Sequence, residues 1–294
     1  MNILLEDTNR INKYISEELG ISDCVQRVSS EIFYYIIDNI PKVQSIAIDN
    51  GIKEKKFSIK KEINQSKIEI SVQYFNFSNK DIYKQYIQKH NIDNKSVSLD
   101  GRINFVWIKL IAISGYFDRK ELNDSIYHEI EHIYQQILSR KTFNNQEIYS
   151  IAFKNIHNQD LFFHAPAHIL YMATKSEQDA YANGLYGYFA SEYNYFPDIK
   201  DISKTDIYKE LQRLRKNIIF LKKNINNKEL EKSVQELYNL SIQKIIFIGQ
   251  KAEKEILRKI GRVIIKIKDD FLKRGGEIHL KQIGEEKERN FYFL

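Results

Sequence analysis

Two histidines four residues apart, with a glutamate directly after the first, stand in the run His128-Glu129-Ile130-Glu131-His132. On an α-helix, residues four apart share one face one turn up, so His128 and His132 can grip a single metal ion. Glu129 sits about 100° further round such a helix, beside the ion and within reach of a water activated there. Neutral imidazoles with a carboxylate are a donor set that zinc favours, and an open coordination position lets a water be activated for hydrolysis. Affinity order alone does not separate zinc from other divalent metals. The plain alternative is a helix whose two histidines merely pack or face water.

These residues need a helix to carry them and a scaffold to aim it. Asn123, Asp124 and Ser125 offer side-chain oxygens for an N-cap, which places the motif helix over about 123–140. Upstream, residues 103–113 are rich in β-branched and aromatic side chains and close at Ser114-Gly115, a strand followed by a turn. Earlier still, Ser22 is placed to cap a helix through about Asn39, with Val25, Val28, Ile32 and Ile36 at helical spacing. Strands are expected over 43–48, 56–63 and 68–75. Asn50-Gly51 reads as a hairpin turn, and Ile68, Ile70, Val72 and Tyr74 alternate with polar residues as in a half-buried strand. Residues 7–19 and 79–90 read as helices, and 97–113 as one or two further strands. Beyond the motif, a helix is expected over about 174–192, and the chain from Ile202 to about Arg274 reads as two or three packed helices.

Two histidines do not hold a catalytic zinc; a third protein ligand is required. His132 is followed by Ile133-Tyr134-Gln135-Gln136-Ile137-Leu138, which lacks the Gly and third His of the extended three-histidine pattern. The other common solution is a glutamate on a later helix, and Glu177-Gln178-Asp179-Ala180 supplies one. Small Ala180 would let that helix approach the motif helix closely. Glu177 has a second reading, because Thr174-Lys175-Ser176-Glu177 is a capping box in which Glu177 would bond back to Thr174. Asp179 is the reserve ligand, although two residues on it faces elsewhere.

With His-Glu-x-x-His and a downstream Glu-x-x-Ala, residues 100–190 resemble the glutamate-zincin (gluzincin) metallopeptidases. The resemblance implies an α+β fold: a small mixed sheet, an active-site helix and, here, a mostly helical C-terminal extension. It also implies that His128, His132 and Glu177 bind Zn2+ and that Glu129 polarises the attacking water. A peptide or protein substrate would then lie along an edge strand near 103–113. Glu131 departs from the pattern, since its position is usually uncharged in the family; its side chain is expected near solvent. His164-Ala165-Pro166-Ala167-His168 repeats the four-residue spacing. It could form a second histidine pair or stabilise an oxyanion, but the bland reading is that Pro166 opens a helix and His164 lies in the preceding loop. Tyr181, Tyr186 and Tyr188 are further hydrogen-bond donors, with core packing the simpler role.

Hydrophobic residues at 43% and charged residues at 29% belong to a globular chain rather than a disordered one, and one cysteine, Cys24, excludes an intramolecular disulfide framework. No window reaches the length of a membrane span, and Met1–Asp7 lacks the basic and apolar stretches of a signal peptide. The expectation is a cytoplasmic protein that binds no membrane. Residues 201–294 carry 22 Lys and Arg against 14 Asp and Glu, a charge of +8, while residues 1–200 come to −2, so the basic excess behind the net +6 resides in 201–294. The chain is accordingly divided into a metallopeptidase-like domain, 1–200, and a basic helical region, 201–294. Two rival functions follow: an interaction protein that retains a zincin-like helix, or a nucleic-acid binder using 201–274, where Lys209, Arg213, Arg215, Lys216, Lys222 and Lys223 are densest.

Overall fold

The computed structural model describes residues 22–63, 65–90, 97–102, 105–138, 146–190 and 199–273. The helix expected over 7–19 lies outside these residues. The described chain is mixed α+β and packs as two compact units.

The first unit comprises the described residues of 20–140 together with 186–190. It holds helix α1 (Asp23–Asn39), strands β1 (Ile46–Asp49), β2 (Ile52–Ile63) and β3 (Ser66–Phe77), and helix α2 (Lys80–His90). Strands β4 (Val97–Arg102) and β5 (Phe105–Ile113) and helix α3 (Arg119–Leu138) follow. The five strands form one sheet in the order β1-β2-β3-β5-β4. β3 and β5 are parallel, and the other neighbours are antiparallel. The hairpin at Asn50-Gly51 forms as expected, and Gly51 takes φ +82°, where a side chain would be strained.

Alternation along the strands gives the sheet two apolar faces. Ile70, Val72 and Tyr74 of β3 and Val106, Ile108 and Leu110 of β5 point to one face. There they join Val28, Ile32 and Ile36 of α1 and Leu122, Ile126, Ile130 and Ile133 of α3. Phe75, Phe77 and Ile111 point to the other face and pack with Tyr83 of α2. Each fully buried Leu or Ile contributes about 1.5–3 kcal/mol, so α3 is fixed to the sheet by its apolar stripe.

Two expectations about this unit are corrected. The motif helix begins at Arg119, one turn earlier than expected, because Asp118 caps it: its Oδ1 accepts from the amides of Lys120 (2.9 Å) and Glu121 (3.2 Å). Asn123 and Asp124 lie inside the helix and are buried. Residues 105–113 form an interior strand flanked by β3 and β5's antiparallel partner β4, so the sheet edge beside them is β4.

The second unit comprises the described residues of 141–185 and of 192–273. Its helices are α4 (Gln146–Asn155), α5 (Leu161–Met172), most of α6 (Lys175–Ala190), a single turn α7 (Ile199–Ile202), α8 (Asp206–Lys223), α9 (Lys228–Tyr238) and the long α10 (Ile242–Lys273). Leu211, Leu214 and Leu221 of α8 and Ile256, Ile260 and Val263 of α10 are fully buried, the two stripes that the periodicity marks. Compact packing thus groups 146–185 with the C-terminal helices, whereas the charge-based division falls at residue 200. Helix α5 starts at Leu161, capped by Asp160 Oδ1 on the Phe162 amide (2.9 Å), so His164 lies within it and Pro166 sits inside the helix rather than opening it.

Candidate metal centre

His128 and His132 project from the same face of α3, with their Nε2 atoms 3.1 Å apart. A tetrahedral zinc with Zn–N bonds of 2.0–2.1 Å needs its nitrogen ligands about 3.3 Å apart, so the two rings are already near a chelating separation. The same separation also suits an N–H···N hydrogen bond between the rings. Both histidines are half-buried, and Glu177 on α6 is 1% exposed. One ligand atom from each of His128, His132 and Glu177 lies within 4.8 Å of the other two. Among the described residues these three form the one His/Cys/Asp/Glu cluster with such spacing. A buried carboxylate is costly unless it is paired or ligates a metal. Two imidazoles and a carboxylate meet the donor requirements of a three-ligand zinc site.

Helix α6 is continuous from Lys175 to Ala190, so Glu177 and the packed C-terminal end ride on one helix. Glu177, Ala180, Gly184 and Gly187, spaced three, four and three, share one face of a helix. At Gly187 that face lies directly on α3: a Cβ there would stand 2.6 Å from the Tyr127 ring and 2.8 Å from the Asn123 carbonyl oxygen. Asn123 Nδ2 donates to the Gly187 carbonyl at 2.6 Å, and the Tyr127 and Tyr186 ring centroids are 5.7 Å apart. From Asn123 to His132 the helix rises about 14 Å, and from Gly187 back to Glu177 about 15 Å. The two rises are nearly equal, in keeping with the spacing of the three ligand atoms. Ala180 is fully buried; the close approach is seen at Gly187 and Asn123, which was not anticipated, although the small-residue stripe is visible in the sequence.

Thr174 Oγ1 accepts from the Glu177 amide (3.3 Å) and donates to the Tyr171 carbonyl (2.9 Å), the first bond being one of the two that define a capping box. The Thr174 amide donates to the Tyr171 carbonyl (3.1 Å). The backbone of Glu177 thus takes part in the cap, while a carboxylate oxygen of the same residue lies within 4.8 Å of the imidazole nitrogens.

Other expected residues fall elsewhere. Asp179, the reserve ligand, lies outside the cluster and pairs with Lys259 of α10. Glu131 is not near solvent but 7% exposed, and its Oε1 accepts from Gln135 Nε2 at 2.7 Å. His164 and His168 do not join the cluster. His168 is fully buried with Nε2 2.8 Å from Glu210 Oε2, and His164 Nδ1 is 2.6 Å from the Ile156 carbonyl oxygen. Their rings stack at 5.7 Å. Tyr188 lies beneath Lys120 Nζ, 5.5 Å from its ring centre. In the basic group, Lys209 pairs with Asp206 (2.6 Å), Arg213 with Glu210 (2.7 Å) and Arg215 with Glu253 (3.0 Å). No helix among the described residues is long and apolar enough to cross a membrane.

Compared with protein-family models, curated proteins and solved structures, the chain matches none. The functional reading therefore rests on the site itself.

Proposed function

We propose that this chain is a zinc-dependent metallopeptidase of glutamate-zincin type. The observation that carries the reading is the convergence of His128 and His132 with Glu177, 45 or more residues further along the chain, with ligand atoms within 4.8 Å of one another. His128, His132 and Glu177 hold the ion. When bound, zinc supplies Lewis acidity that polarises a carbonyl and lowers the pKa of a water. Glu129, next to His128 but about 100° round the helix, is left out of the ligand set. It takes the proton of the attacking water and passes it to the departing amine. His128 and His132 are half-buried rather than fully enclosed, which suits a site that must be reached by a substrate. β4, at the sheet edge and packed beside α3, offers its outer backbone groups to an extended peptide, which would add as a further strand.

Glu129→Gln tests the proposal. The amide keeps the shape but is not a base, so zinc should bind with the wild-type stoichiometry while peptide hydrolysis falls by about 10²–10⁴-fold. Unchanged hydrolysis in the variant would remove Glu129 from the mechanism. Zinc binding with no hydrolysis by the wild type across a broad peptide library would favour a metal-binding interaction protein instead.

A further inference from the structure

The long C-terminal helix carries one lysine in an unusual setting. Lys259 of α10 stands among Ile256, Leu257, Ile260 and Val263, all fully buried, and its own side chain is 11% exposed. Lysine is almost never so covered unless it is paired. Its partner is Asp179 Oδ1 on α6, itself 28% exposed. Asp179 follows Glu177 by two residues, so on a helix the two side chains leave about 200° apart. α6 thus has a face that carries Glu177 and, nearly opposite, a face braced against α10.

We infer that Lys259 is a positioning residue for the metal centre, acting through Asp179 to fix the rotation of α6 about its axis and so the place of the Glu177 carboxylate. The inference rests on the metal-site reading above. The magnitudes favour it. Side-chain tips lie about 5–6 Å from a helix axis, so a rotation of roughly 10° moves the carboxylate by about 1 Å. Metal–ligand distances tolerate about 0.2 Å. The Thr174 cap and the bond from Gln178 Nε2 to the Met172 carbonyl (2.9 Å) fix where α6 begins. They lie at its first turn, whereas the Lys259–Asp179 pair ties the outer surface of α6 to α10. The brace also gives the helical C-terminal region a definite role in the chemistry, as the support of the third ligand.

The test compares wild type with Lys259→Met, which keeps the apolar stem and removes the charge, Lys259→Arg, Asp179→Asn and the Lys259→Met/Asp179→Asn double variant. Zinc affinity is read by competition with a chromogenic chelator, and thermal unfolding is followed on the metal-free proteins. Lys259→Met and Asp179→Asn should each weaken zinc binding about 10–100-fold, the range for residues that orient metal ligands. The double variant should be no weaker than either single one, and Lys259→Arg should retain most of the affinity. A lowered metal-free melting temperature with unchanged zinc affinity would make the pair merely structural and overturn the inference. So would additive losses in the double variant, since Lys259 would then not act through Asp179. Should Lys259→Met fail to fold, Asp179→Asn alone decides, with unchanged affinity overturning the inference. Absence of zinc binding by the wild type would overturn the metal centre itself, which the variants alone cannot do.

Discussion

Glu177 offers two groups. Its amide is held by Thr174 Oγ1, and its carboxylate is the group proposed to join His128 and His132 in a metal site. The roles separate experimentally. Thr174→Ala should cost about 1 kcal/mol of stability, the usual loss for a helix cap, while leaving zinc affinity near the wild-type value; a large loss of zinc would mean that the cap, not the carboxylate alone, defines the site. The placement of His128 and His132 on one helix face and of Glu177 in the first turn of another was legible because its signals are local: a four-residue spacing on one helix, and a glutamate at the head of another. Glu131 was not. Whether a helical carboxylate faces water depends on what packs over it, and here it is buried beside Gln135.

Helices α3 and α6 meet with no room for a side chain at Gly187. Gly187→Ala would drive a methyl into the Tyr127 ring and the Asn123 backbone. It should cost about 1–3 kcal/mol, as overpacking does, and weaken zinc binding, because Glu177 rides on the same helix. Wild-type zinc affinity in a destabilised Gly187→Ala protein would show that the approach at Gly187 does not set the register of the site. At this scale the sequence yields element types well. Hydrophobic periodicity places α1, α2, β2, β3 and the α8 and α10 stripes close to where they form. Ends and neighbours are less legible. Asp118 rather than Asn123 caps α3 because the apolar stripe extends back to Leu122, and β5 is interior because β4 pairs outside it, a choice made between strands and not within one.

Across the whole molecule, the helices of 146–185 pack with those of 199–273, although composition alone draws the line at residue 200. Charge describes the surface, whereas packing follows buried faces. A pH response follows from the same helices. Burial holds His164 below its ordinary value of 6.5, against the raising pull of the Ile156 carbonyl and with a further lowering by His168 and Arg213, partly offset by Glu210. The folded chain therefore binds fewer protons there than the unfolded chain. That contribution to stability is complete above about pH 6.5 and is lost as pH falls through the depressed folded value. His164→Asn keeps a donor for the Ile156 carbonyl but does not titrate, so its melting temperature should fall less steeply between pH 7 and pH 5 than that of the wild type. Parallel profiles would assign the acid sensitivity to other groups.

The most direct test of the central claim is the metal content of protein purified without chelator, measured by elemental analysis for wild type and Glu177→Ala together. One zinc per wild-type chain, lost or greatly reduced in Glu177→Ala, is the result expected of a His128-His132-Glu177 centre. A wild-type chain that takes up no divalent metal even when zinc is supplied would contradict it, and would leave the two histidines as a hydrogen-bonded pair on a packing helix.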